Sequence, residues 1–156
     1  MFQGKMNSQV TQVQAPIKRA EIQEEARKLI GVKWRHQGRT PEVGVDCAGA
    51  VVVVARNLNI SSYDSTDYHR NPLNDSFVQH FQANMKRKKI TDRRVGDVLL
   101  FRDKMFSCHS GFLTMKNGVE HIVHAYALRK KVIEEPLNDD WRSRITYCFE
   151  FYGVED

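Results

Sequence analysis

Between Pro16 and Ile30 the apolar positions Ile22, Ala26, Leu29 and Ile30 recur at helical spacing, with Gly31 placed as a terminator, so the pattern predicts a first helix over 16–30. From Cys47 to Leu58 the chain is apolar on nearly all sides until Arg56 and Asn57, which describes a buried helix with Asp46 as its N-cap. The valines at 51–54 would suit a strand on propensity alone. The cap, and the small residues Ala48, Gly49 and Ala50 that allow a close-packed first turn, favour the helix. Phe77, Val78 and Phe81 share one face of a short third helix, with capping candidates at Asn74 and Asp75 after a polar connection over 61–74. The basic run Lys86-Arg87-Lys88-Lys89 reads as a solvated helix end. From Gly96 onward the pattern is that of strands, over 97–102, 111–115, 119–126, 131–135 and 144–152, the last with Ile145, Tyr147, Phe149 and Phe151 facing one way. Helices first and an antiparallel sheet second predict an α+β fold.

A chain of 156 residues is long enough for one domain with a real core, expected over 17–156 behind a polar, glutamine-rich arm over 1–16. That arm has no apolar centre of the kind an export signal needs, so synthesis in the cytoplasm without a signal peptide is expected. No apolar run approaches the roughly 20 residues that cross a bilayer. The net charge of +5 suits an anionic partner, whether nucleic acid, a membrane surface or an acidic wall polymer. Three cysteines without a CxxC pair argue against both a disulfide scaffold and a zinc ribbon, and leave at least one thiol free.

Among those thiols, Cys47 alone stands at the first turn of a predicted helix, where the positive end of the dipole is expected to lower its pKa and the free amides could hold an oxyanion. Cys108 and Cys148 fall in or beside strands and lack that setting. The loop from Gly31 to Gly44 carries Trp34, Arg35, His36 and Gln37, large side chains of the kind that build sites. A thiol nucleophile needs a base and a group that orients it. If Asn117-Gly118 forms a two-residue hairpin turn, His109 falls opposite Tyr126 and His124 opposite Gly111. The two histidines are then diagonal neighbours about 7 Å apart at Cα on one face. His121 falls opposite Thr114 on the other face, although a one-residue bulge would exchange the two candidates. The same histidines could be ordinary strand residues. A metal site from Cys47, His109 and His121 or His124 has no compact ligand motif behind it, and no metal or cofactor is expected.

Five motifs occur in one order: Trp34-Arg35-His36-Gln37-Gly38, Gly44-Val45-Asp46-Cys47-Ala48-Gly49, Val95-Gly96-Asp97-Val98-Leu99-Leu100-Phe101, His109-Ser110-Gly111 and His124-Ala125. In this order and spacing, over roughly 18–150, the chain resembles the NlpC-type cell-wall cysteine peptidases. The resemblance implies a papain-like fold with Cys47 as nucleophile, His109 as general base and His124 orienting it. It also implies that Asp46 meets a substrate amine and that Trp34 lines the site where tyrosine is commoner; an indole can donate but not accept. Ser110, where valine is commoner, is placed at the substrate with them. Ala48 in place of serine and a longer gap from His109 to His124 are further departures, and none removes a catalytic group.

The implied activity is hydrolysis of peptidoglycan stem peptides next to a D-glutamyl or diaminopimelyl residue, at the cell wall. The Arg-His-Gln-Gly loop, the valine-rich helix and His-Ala-Tyr-Ala followed by Trp141-Arg142-Ser143-Arg144 look most like the phage and prophage tail-associated branch. Stem peptides and tail proteins are therefore the expected partners, and nucleic acid and membrane are not. An amidase or acyltransferase on the same scaffold, or a non-enzymatic basic particle component, are the rival readings.

Overall fold

The computed structural model describes residues 15–60, 76–103 and 105–155. The connection over 61–74, the caps proposed at Asn74 and Asp75 and most of the expected N-terminal arm lie outside them. The first helix, α1, runs Arg19–Arg27 and buries Ile22 and Ala26. It is shorter at both ends than its apolar period suggested. Ile17–Lys18 is instead a short strand, β1, parallel to a last strand, β10, at Val154–Glu155. At the other end Leu29 and Ile30 bond back only three residues, and Gly31, at φ +93, turns its N–H onto Val132 O at 2.9 Å. A left-handed residue with a partner outside the helix ends it.

Two short strands, β2 (Arg39–Thr40) and β3 (Gly44–Val45), form a ribbon that leads into α2, Cys47–Asn57. Asp46 Oδ1 accepts the Gly49 N–H at 2.8 Å, the N-cap bond that settles helix over strand for the valine run. A Cβ on Gly49 would lie 2.0 Å from Gly38 O, so only glycine lets the loop lie against the first turn of α2. Gly49→Ala is therefore expected to cost about 1–3 kcal/mol of stability through forced backbone displacement, read as a lower urea midpoint. An unchanged midpoint would mean that the loop is not held there.

The third helix, α3 (Ser76–Gln82), buries Phe77, Val78 and Phe81. The basic run after it is not a helix end. Lys86–Lys88 is an edge strand, β4, pairing Lys86 with Glu150, Arg87 with Phe149 and Lys88 with Cys148. The Lys88 ammonium reaches Asp97 at 2.9 Å and Glu150 at 3.1 Å, and Asp97, completely buried, also binds Arg19 at 2.8 Å. Carboxylates supplied from elsewhere in the sequence make a lysine strand stable. Its remaining charges blunt the free edge against pairing with another chain.

The main sheet adds β5 (Val98–Arg102), β6 (Ser107–Lys116), β7 (Val119–Tyr126), β8 (Lys131–Pro136) and β9 (Ile145–Glu150). Its order is β4-β9-β5-β6-β7-β8, antiparallel throughout. Both faces are covered. Val98, Leu100, Phe112, Val123 and Phe149 join the three helices in one core, while Leu99, Phe101, Leu113, Ile122 and Cys148 form a second with Leu137 and Trp141. That double burial explains why β5 reads as an unbroken apolar run. Trp141 sits on a helix the sequence pattern did not predict, α4 (Asp139–Ser143), capped by Asn138 Oδ1 accepting the Trp141 N–H at 2.9 Å.

Asn117 and Gly118 take φ of +54 and +77, and the hairpin pairs Lys116 with Val119 and Thr114 with His121, as the two-residue turn required. The expected common face holds for Tyr147 and Phe149 of β9 and for Phe151 just after it, which pack in the helix-side core. A register shift opposite Leu100 and Phe101 turns Ile145 to the second core. No helix among the described residues is long and apolar enough to cross a membrane.

Candidate active site

The loop that precedes α2 is tied down before it reaches the helix. The Trp34 N–H donates to Lys130 O at 3.0 Å, the Arg35 N–H to Val45 O at 3.0 Å and the Val45 N–H to Lys33 O at 2.9 Å. Asp46 completes the tether: besides capping α2, it accepts the Gln37 N–H at 2.7 Å on Oδ2 and faces the Arg39 guanidinium at 3.3 Å. One buried carboxylate thus joins the loop to the helix start and stands beside the Cys47 thiol.

Cys47 and His109 lie in the wall of one cavity of about 340 Å³, together with Trp34, Asp46, Tyr126 and Trp141. They arrive from opposite sides of the sheet. Cys47 packs against the helix-side core, whereas His124 and Tyr126 alternate along β7 with Val123 and Ala125 of that core and so point the other way. The two imidazoles meet there: His109 Nε2 is 2.7 Å from His124 Nδ1, and the ring centroids are 4.9 Å apart, edge to face. His124 Nε2 is 2.7 Å from Glu135 Oε2 on β8. His121 lies apart from this pair, its Nδ1 2.9 Å from Val119 O.

Two local features put the rings in place. A Cβ on Gly111 would come within 3.1 Å of His124 Cβ, so the glycine two residues after His109 makes room for the second ring. A bulge leaves Cys108 without a partner on β5, because Phe101 pairs with His109 and Arg102 with Ser107. The bulge affects the β5 side only. The β6 to β7 register keeps the parity that selects His124. Aromatic groups close the box, with Tyr126 stacked on His124 at 5.0 Å and Trp141 at 5.7 Å from His109 and 5.1 Å from His124.

The NlpC/P60 family model matches residues 31–149, a span that takes in the loop, the capped helix and both histidine strands. The chain belongs to the NlpC/P60 family. Membership makes it a papain-like cysteine peptidase domain of a cell-wall-acting family, as the sequence resemblance implied. Solved NlpC/P60 structures share the fold. An NLP/P60-family protein similar to a lipoprotein, from Staphylococcus aureus, superposes with a TM-score of 0.62 at 17% identity, over 96% of this chain and 47% of that one. The NlpC/p60 domain of the peptidoglycan hydrolase SagA gives 0.60 at 17% identity, over 86% of this chain and all of that one. An N-acetylmuramoyl-L-alanine amidase from Bacteroides uniformis gives 0.56 at 11% identity, over 84% of this chain and 96% of that one. The chain therefore spans about half the length of the staphylococcal protein. A search of curated proteins finds no match.

The electrostatics of this NlpC/P60 site differ from the sequence expectation at the thiol. Burial first, and then the neighbouring Asp46 charge, push Cys47 from an ordinary 9.0 up to about 12, while Ser110 and the Ala48 amide pull the other way. A helix N-terminus contributes at most about 2 kcal/mol in a buried setting, at roughly 1.4 kcal/mol per pKa unit, and does not outweigh a rise from 9.0 to about 12. Ser110 is itself fully buried, and its Oγ has no conventional hydrogen-bond partner. It contacts the thiol without itself lining the cavity. Burial, then His124, then Arg144 hold His109 well below the usual imidazole range, and burial followed by Arg144 does the same to His124. At neutral pH the resting groups are a thiol and two uncharged imidazoles.

Both histidines are bases depressed by folding, so the unfolded chain takes up protons first as pH falls below about 6.5. Stability is expected to decline below that pH and to be full from there up to about 9, where the thiols of the unfolded chain ionise before the buried Cys47 does. Glu134 and Glu150, lowered by their Arg27, Thr114, Lys88 and Arg19 partners against the cost of burial, add to the loss only in the carboxylate range. Urea midpoints that fall between pH 7.5 and pH 5.5 (roughly bracketing the imidazole range), with a flatter dependence in His124→Gln, would bear this out; a flat wild type would refute it.

Tyr126, Trp141, Glu135 and Arg144 were not singled out from the sequence as site residues. Glu135 had a signal: on its strand it shares parity with Ile133, an inward position where an acid needs a partner. Arg144 lies over the Trp141 ring at 4.0 Å and lines the cavity. Cys108 also reaches the cavity wall, while Cys148 is buried with its Sγ 3.6 Å from Asp97. Among the described residues no cluster of three or more His, Cys, Asp or Glu side chains is arranged to hold a metal ion.

Proposed function

We propose that the chain is a cysteine endopeptidase that hydrolyses amide bonds of peptidoglycan stem peptides, next to a D-glutamyl or diaminopimelyl residue. The observation that carries this reading is the placement of a helix-capped thiol and a hydrogen-bonded histidine pair in the wall of one cavity. With thiol and imidazole both uncharged at rest, attack is coupled to proton transfer. Cys47 Sγ bonds to the amide carbon as its proton passes to His109, and the Cys47 backbone N–H receives the oxyanion. His109 then protonates the leaving amine as the C–N bond breaks. Water, deprotonated by His109, attacks the thioester and releases the carboxylic acid and the thiol.

Asp46, beside the thiol, meets a substrate amine, and Trp34 lines the same cavity. The fully buried Ser110 acts on the thiol. The phage or prophage tail-associated origin rests on the sequence resemblance of the 35–38 loop and the 124–127 and 141–144 segments, with tail proteins as partners.

The likeness to a structure named as an N-acetylmuramoyl-L-alanine amidase favours one rival, cleavage of the lactyl amide at the same site. Product masses from purified wall fragments separate them. A peptidase yields shortened peptides with a new amine within the stem, whereas an amidase frees the intact stem from the sugar. Release of neither by the wild type would sink both readings.

A further inference from the structure

The histidine pair has a third member, and its chemistry dictates where the protons sit. Glu135 Oε2 lies 2.7 Å from His124 Nε2. A carboxylate can only accept, so that nitrogen carries a hydrogen. Burial and the Arg144 charge keep His124 neutral, and its lone pair is then at Nδ1. That nitrogen is 2.7 Å from His109 Nε2, which must therefore be the donor. The remaining nitrogen of His109, Nδ1, is left with its lone pair. Reversing the chain would set the His124 Nε2 lone pair against the carboxylate, two acceptors at hydrogen-bond distance beside a ring whose side chain is fully buried.

We propose that Glu135 is a positioning residue that sets the tautomer of His124 and, through it, that of His109, so that His109 offers an unprotonated Nδ1 as the base. The proposal rests on the reading of His109 as the base. Glu135 has a second effect. When His109 takes the thiol proton the pair becomes positively charged, and Arg144 opposes that charge. Glu135 is the acid in contact with the pair and offsets it. The other groups against the His124 ring, Tyr126 and Trp141, are uncharged aromatics.

Proton–nitrogen correlation spectra of the chain carrying isotope-labelled histidine report tautomers without any substrate. At neutral pH the wild type is expected to show His109 and His124 each protonated at Nε2 only. Glu135→Ala is expected to lose the single tautomer at His124 and to lower kcat on wall peptides roughly 10- to 100-fold, with KM within about twofold. Glu135→Gln, whose carbonyl can accept the same N–H without charge, is expected to keep the tautomer and to fall between the two in kcat. A folded Glu135→Ala that keeps both Nε2 protons, or that keeps wild-type kcat, overturns the proposal. If the alanine variant does not fold, Glu135→Gln decides: wild-type kcat overturns, an intermediate kcat supports. A wild type with the assigned tautomers but no hydrolysis of wall peptides would support the proton arrangement and count against the peptidase reading alone.

Discussion

Cys47→Ala is expected to lower hydrolysis of wall peptides by roughly 10⁴-fold or more, the scale of losing a nucleophile, with little change in thermal stability. Alanine keeps the Cβ, and the cap bond between Asp46 and the Gly49 N–H does not involve the thiol. The raised thiol pKa adds a second readout. An alkylating agent should react with Cys47 slowly at neutral pH and faster as pH climbs toward the thiol pKa of about 12. Cys108 also lines the cavity, so the labelling belongs in a Cys108→Ser background. Full activity in Cys47→Ala would remove the assignment of the nucleophile, whatever the alkylation shows.

The second large effect is expected at His109. Glutamine there can fill part of the ring's space but cannot take a proton, and a loss of roughly 10³-fold in kcat is expected from the missing base. The pH profile of the wild type sharpens the test. The base works in its neutral form, and burial, His124 and Arg144 hold His109 well below the usual imidazole range. Activity should therefore persist below pH of about 6.5, with the acid limb displaced downward from an ordinary histidine. An acid limb centred at or above that value would point to an exposed base elsewhere.

The helix that begins at Cys47 was legible because its signals agreed: a capping acid, small residues in the first turn and an apolar run after them. The histidine pair was legible because Asn117-Gly118 sets a register, and register decides parity. What the sequence hid was mostly a matter of distant partners. Lys86–Lys88 looks unlike a strand until Asp97 and Glu150 are placed beside it. The pKa of Cys47 depends on burial, which local position along a helix does not reveal, and burial raises it. Trp141 could not be placed at the histidines because five-residue α4 has too few positions for a period to show. Ile145 left its expected face because of a register shift that only the β5 pairing exposes.

The delivery of Cys47 and His109 from opposite sides of one sheet has a consequence for how this protein would fail. No single element holds the Cys47 thiol and the His109 ring; their separation is the sum of how α2 lies on one face and how the rings are boxed on the other. A displacement of about 1 Å at such a pair costs on the order of 100-fold in rate. Repacking Val53 or Val54, far from the thiol along the helix, would then act as a spacer adjustment. On warming, the enzyme would fall silent while its sheet was still intact, and recovery on cooling would be fast because nothing had unfolded.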